Sequence, residues 1–351
     1  MKPIAVCVLV VAGAPLLPCS SAVAQSGSSE GRACPPAGDL AFVCDLTNVE
    51  DLLPVDGGRW LVGSSYKAGS AGLYLIDTAK RTARPVSLKV AREPEPEYRG
   101  CAAPDLKQLL THGLDVVQER DGAATVYAVN HGGREAVEIF RLSAPENSAE
   151  WVGCVVLPPG ANGNAVAALP RGAFVVSKFM DTRDKQGFQH IMAGAVTGAV
   201  YLWQPRSGFS EVPGTRLSGD NGVAVSPDRK WLFVNAYGSR EIYRVPLTRA
   251  SREATDGANR MSVKVDFHPD NLRWAPDGTL FVTGQFLKTG SLSGPHGWAT
   301  VRLDPRTMSI TPVVKEPGRP QFDDATSTVQ AGRTLWFGTF RGDRVAYRPA
   351  P

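Results

Sequence analysis

Four times along this chain an acidic or amide side chain stands ten positions ahead of an apolar run: Glu50 before Trp60, Asn164 before Phe174, Asn221 before Trp231 and Asp270 before Leu280. Each apolar run is in turn the first member of a pair. Six pairs follow one another, at 59–64 with 72–77, 125–130 with 137–142, 173–178 with 198–204, 230–236 with 241–246, 278–283 with 299–304 and 333–338 with 344–348. The first members read WLVGS, VYAVN, FVVSK, WLFVNA, LFVTG and LWFGT; the second read LYLID, VEIFR, VYLWQ, IYRVP, VRLDP and VAYRP. Short runs rich in β-branched and aromatic residues, bounded by Gly, Pro, Asn and Asp, are strands. The turns agree, with SPDRK at 226–230 and APDG at 275–278 leading into the second strand of a blade. Units of about 54 residues suit four-stranded propeller blades with some long loops. A two-sheet sandwich gives no reason for six equivalent pairs. The expected fold is all-β, a six-bladed β-propeller with a central calcium site, and the one helical feature expected is a turn over Pro104–Leu110.

The calcium expectation follows from the repeat. Residues at the entrance of each innermost strand meet near the axis of a propeller, so Glu50, Asn164, Asn221, Asp270 and Asn271 become neighbours. Carboxylates and amide oxygens with no soft ligand among them suit a hard cation and suit zinc poorly. Each residue alone is an ordinary turn cap; the shared offset, with the doublets Glu50-Asp51 and Asp270-Asn271, favours one common site. In the second blade His112 takes the equivalent entrance and His131 follows the paired strand, which brings two imidazoles to one face, able to relay protons. Thr326 is the sixth entrance and is expected to offer the pocket a hydroxyl.

Residues 1–24 have a basic start at Lys2, an apolar stretch from Ile4 to Leu17 and the small-x-small pattern Ala22-Val23-Ala24, which predicts a signal peptide cleaved after Ala24 and a single domain over 25–351. That apolar stretch is too short for a permanent span, so the expected product is secreted or periplasmic, with no integral membrane segment. Four cysteines remain, Cys34, Cys44, Cys101 and Cys154. In an oxidising compartment they read as two disulfides with three possible connectivities, since no C-x-x-C pair supports a thiolate metal site. A net charge of +4 spread over both signs, with no Lys/Arg-rich run, excludes a nucleic-acid partner from the reading.

The segments EDLLPVDGGRWLVGSS, THGLDVV, VYAVNHGGREAVEIFRL, NAVAALPRGAFVVS, GDNGVAVSPDRKWLFV, PDNLRWAPDGTLFVTG and LWFGTF resemble, in order, those of the calcium-dependent paraoxonase/arylesterase family, within the broader gluconolactonase and strictosidine-synthase-like propellers. The resemblance implies a catalytic calcium held by Glu50, Asn164, Asn221, Asp270 and Asn271, and a histidine dyad of His112 and His131, with Asp270 or Glu50 as alternative bases. It implies a second, structural calcium at Asp51, but Ala165 stands where the family has the partnering Asp. Tyr347-Arg348 stands where the family has a cysteine that ties the last blade to the N-terminal region, so Cys44 pairs elsewhere or stays free.

The function expected is therefore a calcium-dependent hydrolase of lactones or aryl esters acting on a small molecule, with calcium polarising the carbonyl while an activated water attacks. No G-x-S-x-G elbow offers a serine nucleophile. A gluconolactonase-type sugar lactonase and a non-catalytic ligand-binding propeller with structural calcium are the rival readings. Loops over 87–110, 180–197 and 284–298 are expected to wall the pocket.

Overall fold

The computed structural model describes residues 30–119, 122–247, 260–287, 294 and 296–351; the leader expected over 1–24 lies outside them. The six pairs appear where the sequence places them: Trp60–Ser64 with Leu73–Asp77, Ala124–Asn130 with Ala136–Ser143, Phe174–Asp181 with Ala199–Gln204, Trp231–Ala236 with Glu241–Pro246, Leu280–Gln285 with Trp298–Leu303, and Thr334–Thr339 with Val345–Pro349. Each pair is the middle of an antiparallel sheet. An innermost strand precedes it: Leu52–Val55, Thr111–Gln118, Ala161–Ala168, Asp220–Val225, His268–Trp274 or Ala325–Ala331. Every innermost strand packs against those of the preceding and following blades, and the sixth returns to the first, so the sheets form a closed six-bladed β-propeller. Because each blade is covered on both faces, its middle strands are largely apolar, and Leu73–Asp77 and Ala124–Asn130 are buried throughout.

Closure is made by the N-terminus. Leu40–Cys44 adds to Val345–Pro349 as the fourth strand of the sixth blade, with Ala41 opposite Tyr347 and Val43 opposite Val345, and Arg32–Ala37 follows outside it. Cys34 and Cys44 form a disulfide within this hairpin, which is where Cys44 finds its partner. Tyr347 and Arg348 brace the same junction. The Tyr347 ring stacks on Trp336 at 4.8 Å, the Arg81 guanidinium of the first blade lies over both rings at 4.8 and 4.5 Å, and Arg348 pairs with Asp39 at 2.6 Å.

The second disulfide, Cys101–Cys154, corrects the expected pocket walls. It pins the 87–110 segment to the outer strand of the second blade, while Ser87–Val90 pairs in parallel with that strand. Leu109 is buried in the neighbouring core and Leu88 and Leu106 pack against it, so the segment runs along the blade and does not line the cavity that holds Glu50 and His112. A single helical turn at Leu106–Gln108, capped by Asp105, lies within the expected 104–110 stretch. The 180–197 loop carries a short helix, Gly187–Met192. Of the 284–298 loop, residues 288–293 and 295 lie outside the described residues. Among the described residues no helix is long and apolar enough to cross a membrane.

Candidate metal centre and its cavity

The ten-residue step has a structural cause. In five innermost strands the pairing register breaks, between Thr111 and Leu114, Gly163 and Val166 (with a second break between Asn162 and Gly163), Asp220 and Val223, Pro269 and Leu272, and Ala325 and Ser327. A bulge of this kind re-aims side chains out of the alternating pattern, and the re-aimed residues include His112, Asn164, Asn221, Asp270 with Asn271, and Thr326. Glu50 and Asp51 stand just ahead of the first blade's strand. Glycines allow these strands to approach: a Cβ on Gly113 would lie 2.4 Å from the Asn164 carbonyl, and one on Gly222 2.4 Å from the Asp270 carbonyl.

The floor of a cavity of about 300 Å³ is formed by Glu50, Asn164, Asn221 and Asp270, with His112 beside them. Asn271 is buried against Glu50 and donates from Nδ2 to its Oε1 at 2.6 Å. Four buried oxygens of this group have no hydrogen-bond partner: Glu50 Oε2, Asn164 Oδ1, Asn221 Oδ1 and Asn271 Oδ1. An unsatisfied buried acceptor costs about 1–3 kcal/mol, so the four together are comparable with the net stability of a domain, about 5–15 kcal/mol. Converging unpaired oxygens are tolerable where a cation faces them, and an all-oxygen set fits calcium. Burial, with Asp51 and Asp270 nearby, holds the Glu50 carboxyl well above its usual range; burial likewise pushes Asp270 up to about 7. Burial thus disfavours the ionised form of both carboxylates, which a bound cation would favour. With amides as the other donors, no group of three or more His, Cys, Asp or Glu side chains is gathered for a metal among the described residues.

Asp51 is arranged differently. Its oxygens accept from the Arg273 Nε at 3.0 Å, from Arg273 Nη2, and from the backbone N–H groups of Leu52 and Leu114 at 2.9 and 2.8 Å. A guanidinium already occupies the cationic position beside this carboxylate, so these residues do not fit a second calcium. Thr326 also departs from expectation. Its hydroxyl donates to the Glu50 carbonyl at 2.5 Å, joined by Ser327 Oγ at 3.1 Å, and it does not line the cavity. Its part is to hold the loop that presents Glu50.

The two imidazoles meet as expected, with His112 Nδ1 3.0 Å from His131 Nε2. His112 Nε2 lies 3.8 Å from Glu50 Oε1, and the Tyr66 ring packs tilted against His112, 4.3 Å between ring centres. Burial, reinforced by His131, holds the His112 imidazole well below its usual range, so it stays neutral and able to accept a proton. Sequence reasoning missed several neighbours. Gln285 Nε2 donates to Asp270 Oδ2 at 2.9 Å and fixes that carboxylate. Tyr66, Phe179, Met180, Phe188, Tyr237 and Phe340 also line the cavity, with Asn162. Met180 and Phe188 belong to the 180–197 segment expected to wall the pocket; the others come from separate blades, and no sequence spacing links them.

A family model described as Arylesterase matches residues 65–289 of the chain. Among solved structures, the chain is similar to a luciferin-regenerating enzyme, at 13% identity over 87% of this chain and 92% of that one, with a TM-score of 0.57. It is also similar to a candidate gluconolactonase, at 16% identity over 90% and 94% of the two chains and a TM-score of 0.50. A candidate oxidoreductase (glucose dehydrogenase) from Thermus thermophilus matches at 17% identity, over 88% and 98% of the chains, with a TM-score of 0.50. These likenesses establish the fold. No curated protein matches.

Proposed function

Since the chain belongs to the arylesterase family, we propose that it is an exported calcium-dependent hydrolase whose substrates are apolar lactones and aryl esters. The observation that carries the reading is the cavity itself, in which Glu50, Asn164, Asn221 and Asp270 form a polar floor beneath the apolar walls Tyr66, Phe179, Met180, Phe188, Tyr237 and Phe340. Such walls favour an aromatic ring or an alkyl chain; a sugar lactone would leave its hydroxyl groups against Phe and Met without partners. The two disulfides suit an oxidising compartment outside the cytoplasm.

Glu50, Asn164, Asn221, Asp270 and Asn271 would hold the calcium, which when bound supplies electrophilic stabilisation of the oxyanion that develops on the substrate carbonyl. The remaining chemistry belongs to the side chains. His112, neutral and lining the cavity, takes a proton from the attacking water at Nε2. His131 supports it through the 3.0 Å contact at Nδ1. Tyr66, packed against the imidazole at 4.3 Å between ring centres, restricts the orientation of the ring. Asp270, held by Gln285, is better placed to bind than to move as a base.

The reading is tested by kcat/KM for an aryl acetate, an alkyl-substituted lactone and a sugar lactone, measured on the parent protein and on Phe188→Ala. The parent should prefer the first two, and Phe188→Ala should lower kcat/KM for them by about tenfold, as expected for about 1–3 kcal/mol of apolar contact, while leaving the sugar lactone unchanged. Preference for the sugar lactone, or turnover of none of the three, would contradict it.

A further inference from the structure

The histidine pair does not end at His131. His131 Nδ1 lies 2.9 Å from both Oε1 and Oε2 of Glu135. That carboxylate is itself held, receiving the Asn162 Nδ2 at 3.2 Å and the Gly163 backbone N–H at 3.1 Å. The Asn162 amide also approaches His131 Nδ1, but at 3.4 Å it is the more distant neighbour. Side-chain exposure is 1% at Glu50, 12% and 11% at the two imidazoles, and 26% at Glu135. The row therefore runs from the floor of the cavity to the surface.

Hydrogen-bond chemistry then fixes where each proton sits. A carboxylate only accepts, so His131 Nδ1 carries a hydrogen and donates it to Glu135. A neutral imidazole has one N–H, so His131 Nε2 is an acceptor and must receive a hydrogen from His112 Nδ1. That leaves His112 Nε2 bare, at the atom that faces Glu50 and the cavity. Tyr66 packing restricts the orientation of the His112 ring and cannot choose between tautomers.

We propose that Glu135 is the positioning residue that sets the tautomers of both imidazoles, making His112 Nε2 the basic nitrogen, and that it is the outer terminus of the proton path. The inference rests on the hydrolase reading above for its catalytic consequence, and on the hydrogen bonds alone for the tautomers. In the forward direction a water proton passes to His112 Nε2, the Nδ1 hydrogen of His112 passes to His131 Nε2, and the Nδ1 hydrogen of His131 passes to Glu135. When the tetrahedral adduct collapses and its C–O bond breaks, the alkoxide leaving group takes a proton from His112 Nε2. The two inner transfers then run backwards, from His131 Nε2 to His112 Nδ1 and from Glu135 to His131 Nδ1, and both rings regain their starting tautomers with no proton gained or lost.

The test is nitrogen-15 NMR of histidine-labelled, calcium-supplemented protein, with steady-state kinetics, on the parent, Glu135→Ala, Glu135→Gln and Glu135→Asp. Expected for the parent is hydrogen on Nδ1 of both rings. Glu135→Ala should shift His131 to mixed tautomers and lower kcat by about 10- to 100-fold, the scale of losing an outer hydrogen-bond partner, with KM within about threefold. Glu135→Asp should recover part of the loss, and Glu135→Gln, which preserves volume, separates loss of charge from loss of packing if the alanine variant does not fold. Unchanged tautomers with unchanged kcat in Glu135→Ala, or a parent with hydrogen on His112 Nε2, would overturn the inference. If the parent turns over no ester or lactone at all, the hydrolase reading fails, and the tautomer measurement still decides whether Glu135 sets the rings.

Discussion

At the residue scale, the same side-chain type plays two parts a short distance apart. Glu50 leaves one oxygen unpaired toward the ring of amides, whereas Asp51, its neighbour in sequence, has both oxygens engaged by Arg273 and two backbone N–H groups. Removing one partner of a buried ion pair strands the other, at about 3–5 kcal/mol. Arg273→Met should therefore lower the free energy of urea unfolding by that amount, and Asp51→Asn combined with Arg273→Met should cost less than the Arg273 change alone. A loss below about 1 kcal/mol in the single variant would show that the guanidinium is not the countercharge. The residues of the candidate ring were legible in the sequence because bulges repeat at one offset in successive blades. Arg273 was not, because its partner lies 222 positions away and only closure of the ring brings the two together. Glu135 was equally hidden: a glutamate four residues after a histidine in a turn has no meaning until the outer face of His131 is seen.

At the scale of elements, the strands were readable because each blade is covered on both faces, which turns its middle strands into apolar runs such as WLFVNA and LYLID. The long connections were less readable. The 87–110 segment has the look of a pocket loop but is drawn against the second blade by Leu106, Leu109 and the Cys101–Cys154 bridge. The N-terminal hairpin shows how closure is secured without a cysteine at Tyr347. Its disulfide spans a sequence separation of 10, for which the loop-entropy model gives about 2–3 kcal/mol, and the bridge at Cys101–Cys154, with a separation of 53, about 4 kcal/mol. Cys34→Ser with Cys44→Ser should lower stability by the smaller amount and Cys101→Ser with Cys154→Ser by the larger, as read from urea midpoints at unchanged slope. Reversal of that order would mean that the N-terminal hairpin, and not the second-blade bridge, is the main covalent support of the ring.

At the scale of the whole molecule, the six blades bring to one point residues numbered from 50 to 271. The unpaired oxygens have no protein donor, so the ring is assembled with a deficit that a bound cation would make good. The deficit also predicts the stoichiometry: one calcium per chain, because Arg273 already serves Asp51. Binding to the folded state alone stabilises it by about 3 kcal/mol at a hundredfold excess over Kd, so thermal stability and activity should rise over the same calcium range. The measurement that tests this most directly is a calcium titration of chelator-treated protein, following aryl ester and lactone turnover together with bound calcium per chain. Turnover should be absent after chelation and return in proportion to a single bound ion, with Asn221→Ala needing at least tenfold more calcium to reach half-recovery. Full turnover after complete removal of calcium would contradict a calcium-dependent hydrolase, and recovery that requires two ions per chain would contradict the single-ion ring.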